Sequence, residues 1–263
     1  MQLENIKHQK KLARKTFWNW AALLIILISS ISSFGQDASN IVQKADDKMK
    51  GRKNYSEITI KIIRPSWSRE MKMKSWSLGT EYSLSYLEAP AKDKGTIFLK
   101  RNRELWNWLP SIERTIKMPP SMLAQSWMGS DLTNDDLVKE TSNKDDFSSK
   151  IMSTETIAGR KCWKIEMIPR DNAAVVWGKI ITWIDQKDHI YMKSEYYDED
   201  EYLVNTMSAG AIKALGGRIL ASEMHIVPAD EPGNETVMII NKIDFNANIS
   251  ISFFTVQNMK RVR

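Results

Sequence analysis

The sequence predicts a mainly β fold with some helix (α+β): a single curved antiparallel sheet of about ten or eleven strands, forming an incomplete barrel with short helices over its concave face. Three observations predict it. From Tyr55 onward apolar residues recur at every second position, turn residues punctuate the chain at short intervals, and the strand run is interrupted only once by helix-like sequence. Half-buried strands joined by short connections are the signature of an antiparallel meander. So many strands in succession also need curvature or closure to deal with their edges.

The elements follow in order. Ala38, Ile41, Val42, Ala45 and Met49 fall on one face of a 3.6-residue period, with Asp37 or Ser39 to cap the helix and Gly51 to stop it. Ile58, Ile60 and Ile62 begin the period-two pattern, and Met71 with Met73, then Tyr82, Leu84 and Tyr86, continue it. Further strand segments are predicted at 96–100, 104–109 and 113–117. Pro119-Pro120 ends this run, and Ser121–Met128 and Asn134–Lys139 read as two short helical pieces. Alternation resumes at 150–156 and recurs at 162–168, 179–185, 190–197, 202–207, 218–227 and 235–245. Gly159, Gly216-Gly217 and Pro232-Gly233-Asn234 mark three of the turns. Phe253–Arg263 reads as a last helical turn or a tail.

Residues 1–35 read as a secretory signal peptide, leaving residues 36–263 as one domain. Lys7, Lys10, Lys11, Arg14 and Lys15 precede an uncharged stretch from Thr16 to Gln36, and Ser33-Phe34-Gly35 offers small residues at a cleavage site. An uncleaved anchor is the alternative, since the uncharged stretch approaches the ~20 residues that span a bilayer. Cleavage near Gly35 implies export to the periplasm. It also removes five of the 38 Lys+Arg and one of the 32 Asp+Glu, so the net charge falls from +6 to +2. The basic balance therefore belongs to the leader and gives no argument for nucleic acid. Cys162 stands alone, which excludes a disulfide framework.

Motifs for catalysis are absent from the sequence. His189 and His225 sit in no metal-ligand spacing, and there is no nucleophile elbow, phosphate-binding glycine loop or C-x-x-C. The sequence therefore predicts no enzyme, no cofactor and no metal. Asp188 beside His189 reads as a turn. Asp131, Asn134, Asp135 and Asp136 lack the alternating spacing of a calcium loop. Thr133 with Asp136 three residues on reads instead as a capping-box-like helix start.

The apolar inventory is unusual. Trp67, Trp106, Trp108, Trp127, Trp163 and Trp183 accompany Met71, Met73, Met122 and Met128, with Tyr82 and Phe98 on neighbouring strands. Any one of these side chains is core in the ordinary case. Together they predict an apolar ligand cavity and its lid, because flexible methionines and flat aromatic rings suit varied apolar partners. Met122, Leu123, Trp127 and Met128 follow the proline pair where a lid would lie.

Lys94-Gly95-Thr96-Ile97-Phe98-Leu99, Leu105-Trp106-Asn107-Trp108-Leu109-Pro110 with Arg114, and Trp127-Met128-Gly129-Ser130-Asp131-Leu132 followed by Asp135-Asp136-Leu137 carry a family resemblance. So do Cys162-Trp163-Lys164-Ile165-Glu166, Trp183-Ile184-Asp185, Glu195-Tyr196-Tyr197-Asp198 and Phe254-Thr255. The sequence resembles the outer-membrane lipoprotein-sorting family, the LolA/LolB-like periplasmic lipoprotein carriers. The resemblance implies an incomplete barrel, a cavity for the acyl chains of lipid or lipoprotein, and a membrane transporter of the resistance–nodulation–division class as partner. The expected function is a periplasmic carrier passing such a ligand toward the outer membrane. The alternative is a non-enzymatic adaptor of a lipid-exporting transporter, its interior filled by its own side chains.

Overall fold

The computed structural model describes residues 37–262, apart from 103, 135, 137–145, 172 and 174. The leader segment and most of the second predicted helical piece lie outside the described residues.

The chain forms one open antiparallel sheet of thirteen strands. The strands are β1 (Lys53–Arg64), β2 (Trp67–Leu78), β3 (Tyr82–Ala89), β4 (Ile97–Arg101), β5 (Glu104–Leu109), β6 (Arg114–Lys117), β7 (Phe147–Ile157), β8 (Arg160–Pro169), β9 (Lys179–Asp185), β10 (Tyr191–Tyr197), β11 (Leu203–Leu215), β12 (Arg218–Pro228) and β13 (Glu235–Asp244). The expected count of ten or eleven is corrected to thirteen: every predicted segment forms a strand of its own, including the short β4, β5 and β6, which pair through tight turns. β11 also runs well past the predicted 202–207, through a segment whose side chains are partly exposed and so give a weak periodic signal.

Strand order explains the rest of the molecule. β1 pairs with both β2 and β13, so the first and last strands meet in the middle of the sheet. From there the chain walks outward to the β6 edge, crosses to the β7 edge, and walks back inward. The described residues of the crossover, 118–134, 136 and 146, include Trp127, which packs on one face of the sheet; we call this segment the strap and that face the inner face.

The strap corrects the first of the two predicted helical pieces but not the second. In place of a helix over 121–128 it has a single 3-10 turn at Pro120–Met122, whereas Asn134 and Asp136, the described residues of the 134–139 piece, are helical. Prolines fix φ and lack a backbone donor, so Pro119-Pro120 cannot sit inside an α-helix. The strap backbone instead folds on itself: Trp127 N–H donates to Leu132 C=O at 2.7 Å and Asn134 N–H to Gln125 C=O at 2.9 Å. Thr133 and Asp136 do form the reciprocal bonds of a capping box, with Thr133 N–H to Asp136 Oδ2 at 2.8 Å and Asp136 N–H to Thr133 Oγ1 at 3.0 Å.

The main inner-face helix is α1, residues 37–50. Its apolar stripe, Ala38, Ile41, Val42 and Ala45, packs on Phe147, Ile165, Met167, Ile180 and Ile184 from β7, β8 and β9. Gly51, at φ +65°, ends it, and a Cβ there would lie 2.8 Å from the Phe245 ring. Arg218 donates to the terminal carbonyls of Asp47 and Lys48 at 2.8 and 2.9 Å, satisfying two of the groups a helix end leaves open.

A second cluster sits on the opposite, outer face. Leu84, Tyr86, Ile97 and Leu99 are covered by Phe254 and by α2 (Val256–Met259), the predicted C-terminal turn. Thr255 caps α2 by accepting from Asn258 N–H.

At the β8–β9 connection, Gly178 comes so close to its neighbour that a Cβ would lie 2.3 Å from the Asp198 carbonyl oxygen. Gly178→Ala is therefore expected to cost about 1–3 kcal/mol, as overpacking does. A urea midpoint equal to that of the parent protein would refute the contact.

Candidate ligand cavity

The inner faces of β8 to β13 form three rows of paired side chains. Met167, Ile180, Tyr196 and Asn205 stand opposite one another across β8, β9, β10 and β11. Ser194, Met207 and Ile226 form the next row, and Ala209, Met224 and Met238 the third. Over these rows α1 contributes Asp46, Met49 and Lys50, and the strap contributes Asp131, Leu132 and Asp136. Val175 and Trp177 from the β8–β9 connection line one side, and the cavity, partly open to solvent, has a volume of about 270 Å³.

Its floor is methionine-rich: Met167, Met207, Met224 and Met238 come from four different strands. Their flexible thioethers let one floor fit chains of varied shape. The polar groups around it are satisfied from within the fold. Tyr191 Oη donates to Asp46 Oδ1 at 2.8 Å, Trp177 Nε1 to Asp136 Oδ1 at 3.3 Å, and the Thr182 and Ser194 hydroxyls bond at 2.9 Å. Burial and the nearby Asp136 carboxylate push the Tyr196 phenol well above its ordinary range, so it stays neutral at physiological pH. The surface left to a ligand is mostly apolar, with Asp46, Lys50, Asp131, Asp136 and Lys193 among the residues that line it.

The strap is pinned by one buried ion pair. Both nitrogens of the Arg64 fork reach the Asp131 carboxylate, at 2.9 and 3.1 Å, and Arg64 also donates to Gly129 C=O at 2.9 Å. Thr236 Oγ1 donates to Asp131 Oδ2 at 2.6 Å and accepts from Asp131 N–H at 2.9 Å. Asn205 Nδ2 donates to Asp131 C=O at 3.2 Å. The Asp131 side chain is 5% exposed and that of Arg64 12%, so the pair is screened little by water. In the sequence Asp131 stood among nearby acids, and nothing local marked Arg64, 67 positions away, as its partner.

The sequence-predicted cavity and lid residues fall into four places. Met71, Met73, Phe98, Trp127 and Met128 come together where the strap meets β1, β2 and β3, in a packed cluster with Ile60, Ile62 and Leu87. Tyr82, Trp106 and Trp108 lie on the outer face beneath the C-terminal segment. Trp163 packs against the cluster under α1 and stacks with His189 at 5.6 Å, while Trp183 is on the outer face, with Lys164 and Lys193 over its ring at 5.0 and 4.7 Å. Trp67 and Met122 are exposed. The cavity is lined by other residues, among them Met167, Met207, Met224 and Met238. Asp188, beside His189, is bonded to Arg160 at 2.9 Å, which holds its carboxyl below the usual range.

With this geometry in place, the chain can be set beside known proteins. A protein-family model described as "-like: Uncharacterized protein" matches residues 79–261, from the start of β3 through α2. The chain belongs to that family. Curated proteins give no match. Solved structures do. A DUF1329 family protein from Desulfovibrio piger aligns with a TM-score of 0.79 at 20% identity, over 86% of this chain and 99% of its own. A domain from Vibrio parahaemolyticus, described as an outer membrane lipoprotein-sorting protein, aligns at 0.77 with 19% identity, over 86% and 100%. A LolA superfamily protein from Nitrosomonas europaea aligns at 0.73 with 20% identity, over 84% and 98%. The expected likeness to lipoprotein-sorting proteins therefore holds for the fold, which this chain shares with these three structures.

Proposed function

We propose that the protein is a non-enzymatic periplasmic carrier that holds an acyl chain of a lipid or lipoprotein in the inner-face cavity and passes it toward the outer membrane. The observation that carries this reading is the cavity itself. The strap fills the β1–β3 half of the inner face with its own side chains and α1 packs on β7–β9, but between the two a methionine-lined chamber is left over the sheet. An adaptor with a self-filled interior would show native packing across both halves. Each methylene buried there contributes about 0.8 kcal/mol, enough to hold a chain without specific contacts. Trp127, Met71, Met73, Phe98 and Met128 serve in this reading as the strap's anchor. A resistance–nodulation–division transporter is the proposed membrane partner that supplies or receives the cargo.

The test is native mass spectrometry with lipid extraction on protein purified from its own periplasm. Co-purifying lipid or lipopeptide supports the carrier and names the cargo. A clean apo mass together with no uptake of a fluorescent fatty acid sinks it. Met207→Gln, which places an amide on the cavity floor, is expected to weaken fatty-acid uptake at least about tenfold, from the cost of burying an unpaired polar group. Its melting temperature should move by only a few degrees. Equal losses of binding and stability would make Met207 ordinary core.

A further inference from the structure

We infer that, resting on the carrier reading, the cavity takes a single aliphatic chain of about ten carbons, with the polar head of that ligand in the neighbouring cleft beside the strap.

Volume sets the chain number. The cavity, at about 270 Å³, falls just short of the ~300 Å³ at which ligand pockets begin. An apolar cavity of ~150 Å³ admits one six-carbon benzene ring. Scaled by volume, about 270 Å³ takes one chain of about ten carbons. Two chains side by side, or the three of a triacylated lipoprotein, do not fit beneath the pinned strap.

The position of the head follows from what adjoins the chamber. A second, open cleft lies on the other side of the strap and shares Asp131, Leu132, Trp177 and Asn205 with the cavity. Its remaining lining is more polar than the cavity's: Ser126, Ser130 and Thr133 carry hydroxyls and Arg64 and Glu231 carry charge, beside the apolar Ala124, Val176, Val204 and Pro228. The two spaces meet at the apolar side chains of Leu132 and Trp177. An amphiphile with its tail over Met207 and Met224 and its head between the strap and Glu231 would match both linings. The floor ends where Asn205 and Ile226 stand, next to Thr236 and the Arg64–Asp131 pair, so the tail cannot extend under β1–β3, where Trp127 already fills the space.

The experiment is a chain-length series measured on the delipidated protein by native mass spectrometry and isothermal titration. The ligands are straight-chain fatty acids and their monoacylglycerols from about six to about sixteen carbons, with dipalmitoyl phosphatidylcholine and a tripalmitoylated lipopeptide as the multi-chain arm. The expected result is one ligand per protein and an affinity that rises about fourfold per methylene and then levels off near ten carbons. Acid and glycerol ester in parallel show whether the head's charge matters; either order leaves the chain limit intact. Affinity still rising at sixteen carbons, or tighter binding of the multi-chain ligands, overturns the inference while leaving the carrier reading in place. No binding in any arm overturns both. Ala209→Leu, which adds bulk to the floor, should move the plateau to a chain shorter by about three carbons, the number of added side-chain carbons. Should that variant misfold, Met207→Phe offers the same shortening from the next row. An unchanged plateau in a folded variant would place the chain elsewhere.

Discussion

Trp127→Ala is expected to destabilise the protein by about 3–5 kcal/mol and to free the strap from the sheet. Trp127 is 1% exposed and packs with Ile60, Ile62, Met71, Met73 and Leu87, contributed by β1, β2 and β3. Its ring stands 5.8 Å from that of Phe98. Truncating a buried indole loses both transfer free energy and packing, because surrounding β-strands cannot collapse into the space. Here the loss has a second part. Trp127 is the strap's largest buried side chain, so without it the Ser126–Thr133 bridge hangs from the sheet mainly through the Arg64–Asp131 pair. Trp127→Phe isolates the packing contribution. The indole Nε1 is buried with no hydrogen-bond partner among the described residues, so a phenyl ring gives up area but relieves an unpaired donor. Its expected cost is about 1 kcal/mol. Urea melts of the two variants check this ordering. An alanine variant as stable as the phenylalanine variant would show that the strap does not depend on its anchor.

The β elements were legible because alternation encodes burial directly. Ile58, Ile60 and Ile62 face inward on β1, Met71 and Met73 on β2, and the predicted helix of residues 37–50 shows its stripe to the sheet. What alternation cannot encode is which face of each strand looks at which partner. Tyr82, Leu84 and Tyr86 read as one apolar face, but that face is covered by Phe254 and Met259, some 170 residues later. Trp106 and Trp108 go with it, so this tryptophan pair sits on the outer face. The cavity itself arises between elements distant in sequence. Met167, Met207, Met224 and Met238 lie on the successive hairpins of β8–β13, whereas the residues over them come from α1 and the strap, far away in sequence. Each methionine alone reads as ordinary core. The strap was legible as an interruption but not as an irregular loop, since Met122, Leu123, Trp127 and Met128 have helical spacing while their hydrogen bonds run across the strap and to the sheet.

The Arg64–Asp131 pair gives the second large effect. Arg64→Met is expected to cost about 3–5 kcal/mol, because it leaves the Asp131 carboxylate, 5% exposed, with Thr236 as its remaining side-chain partner. Asp131→Asn should cost less. The amide keeps the shape and can still accept from Thr236, and Arg64 retains the carbonyls of Gly129 at 2.9 Å, Ile63 at 2.8 Å and Glu235 at 3.4 Å. In the double variant Arg64→Met/Asp131→Leu neither charge remains, so it should be more stable than Arg64→Met alone. A double-mutant cycle closed with Asp131→Leu alone, and showing a coupling near zero, would reduce the pair to a surface contact. The same series separates stability from exchange. The pair joins β1 to the strap at the boundary between cavity and cleft, so a weakened latch lets the strap rise without unfolding β8–β13. Fatty-acid dissociation, followed by stopped flow, should therefore quicken in all three variants, including the double variant that regains stability. If dissociation instead tracks stability, slowing again in the double variant, the chain leaves by a route that does not pass the strap.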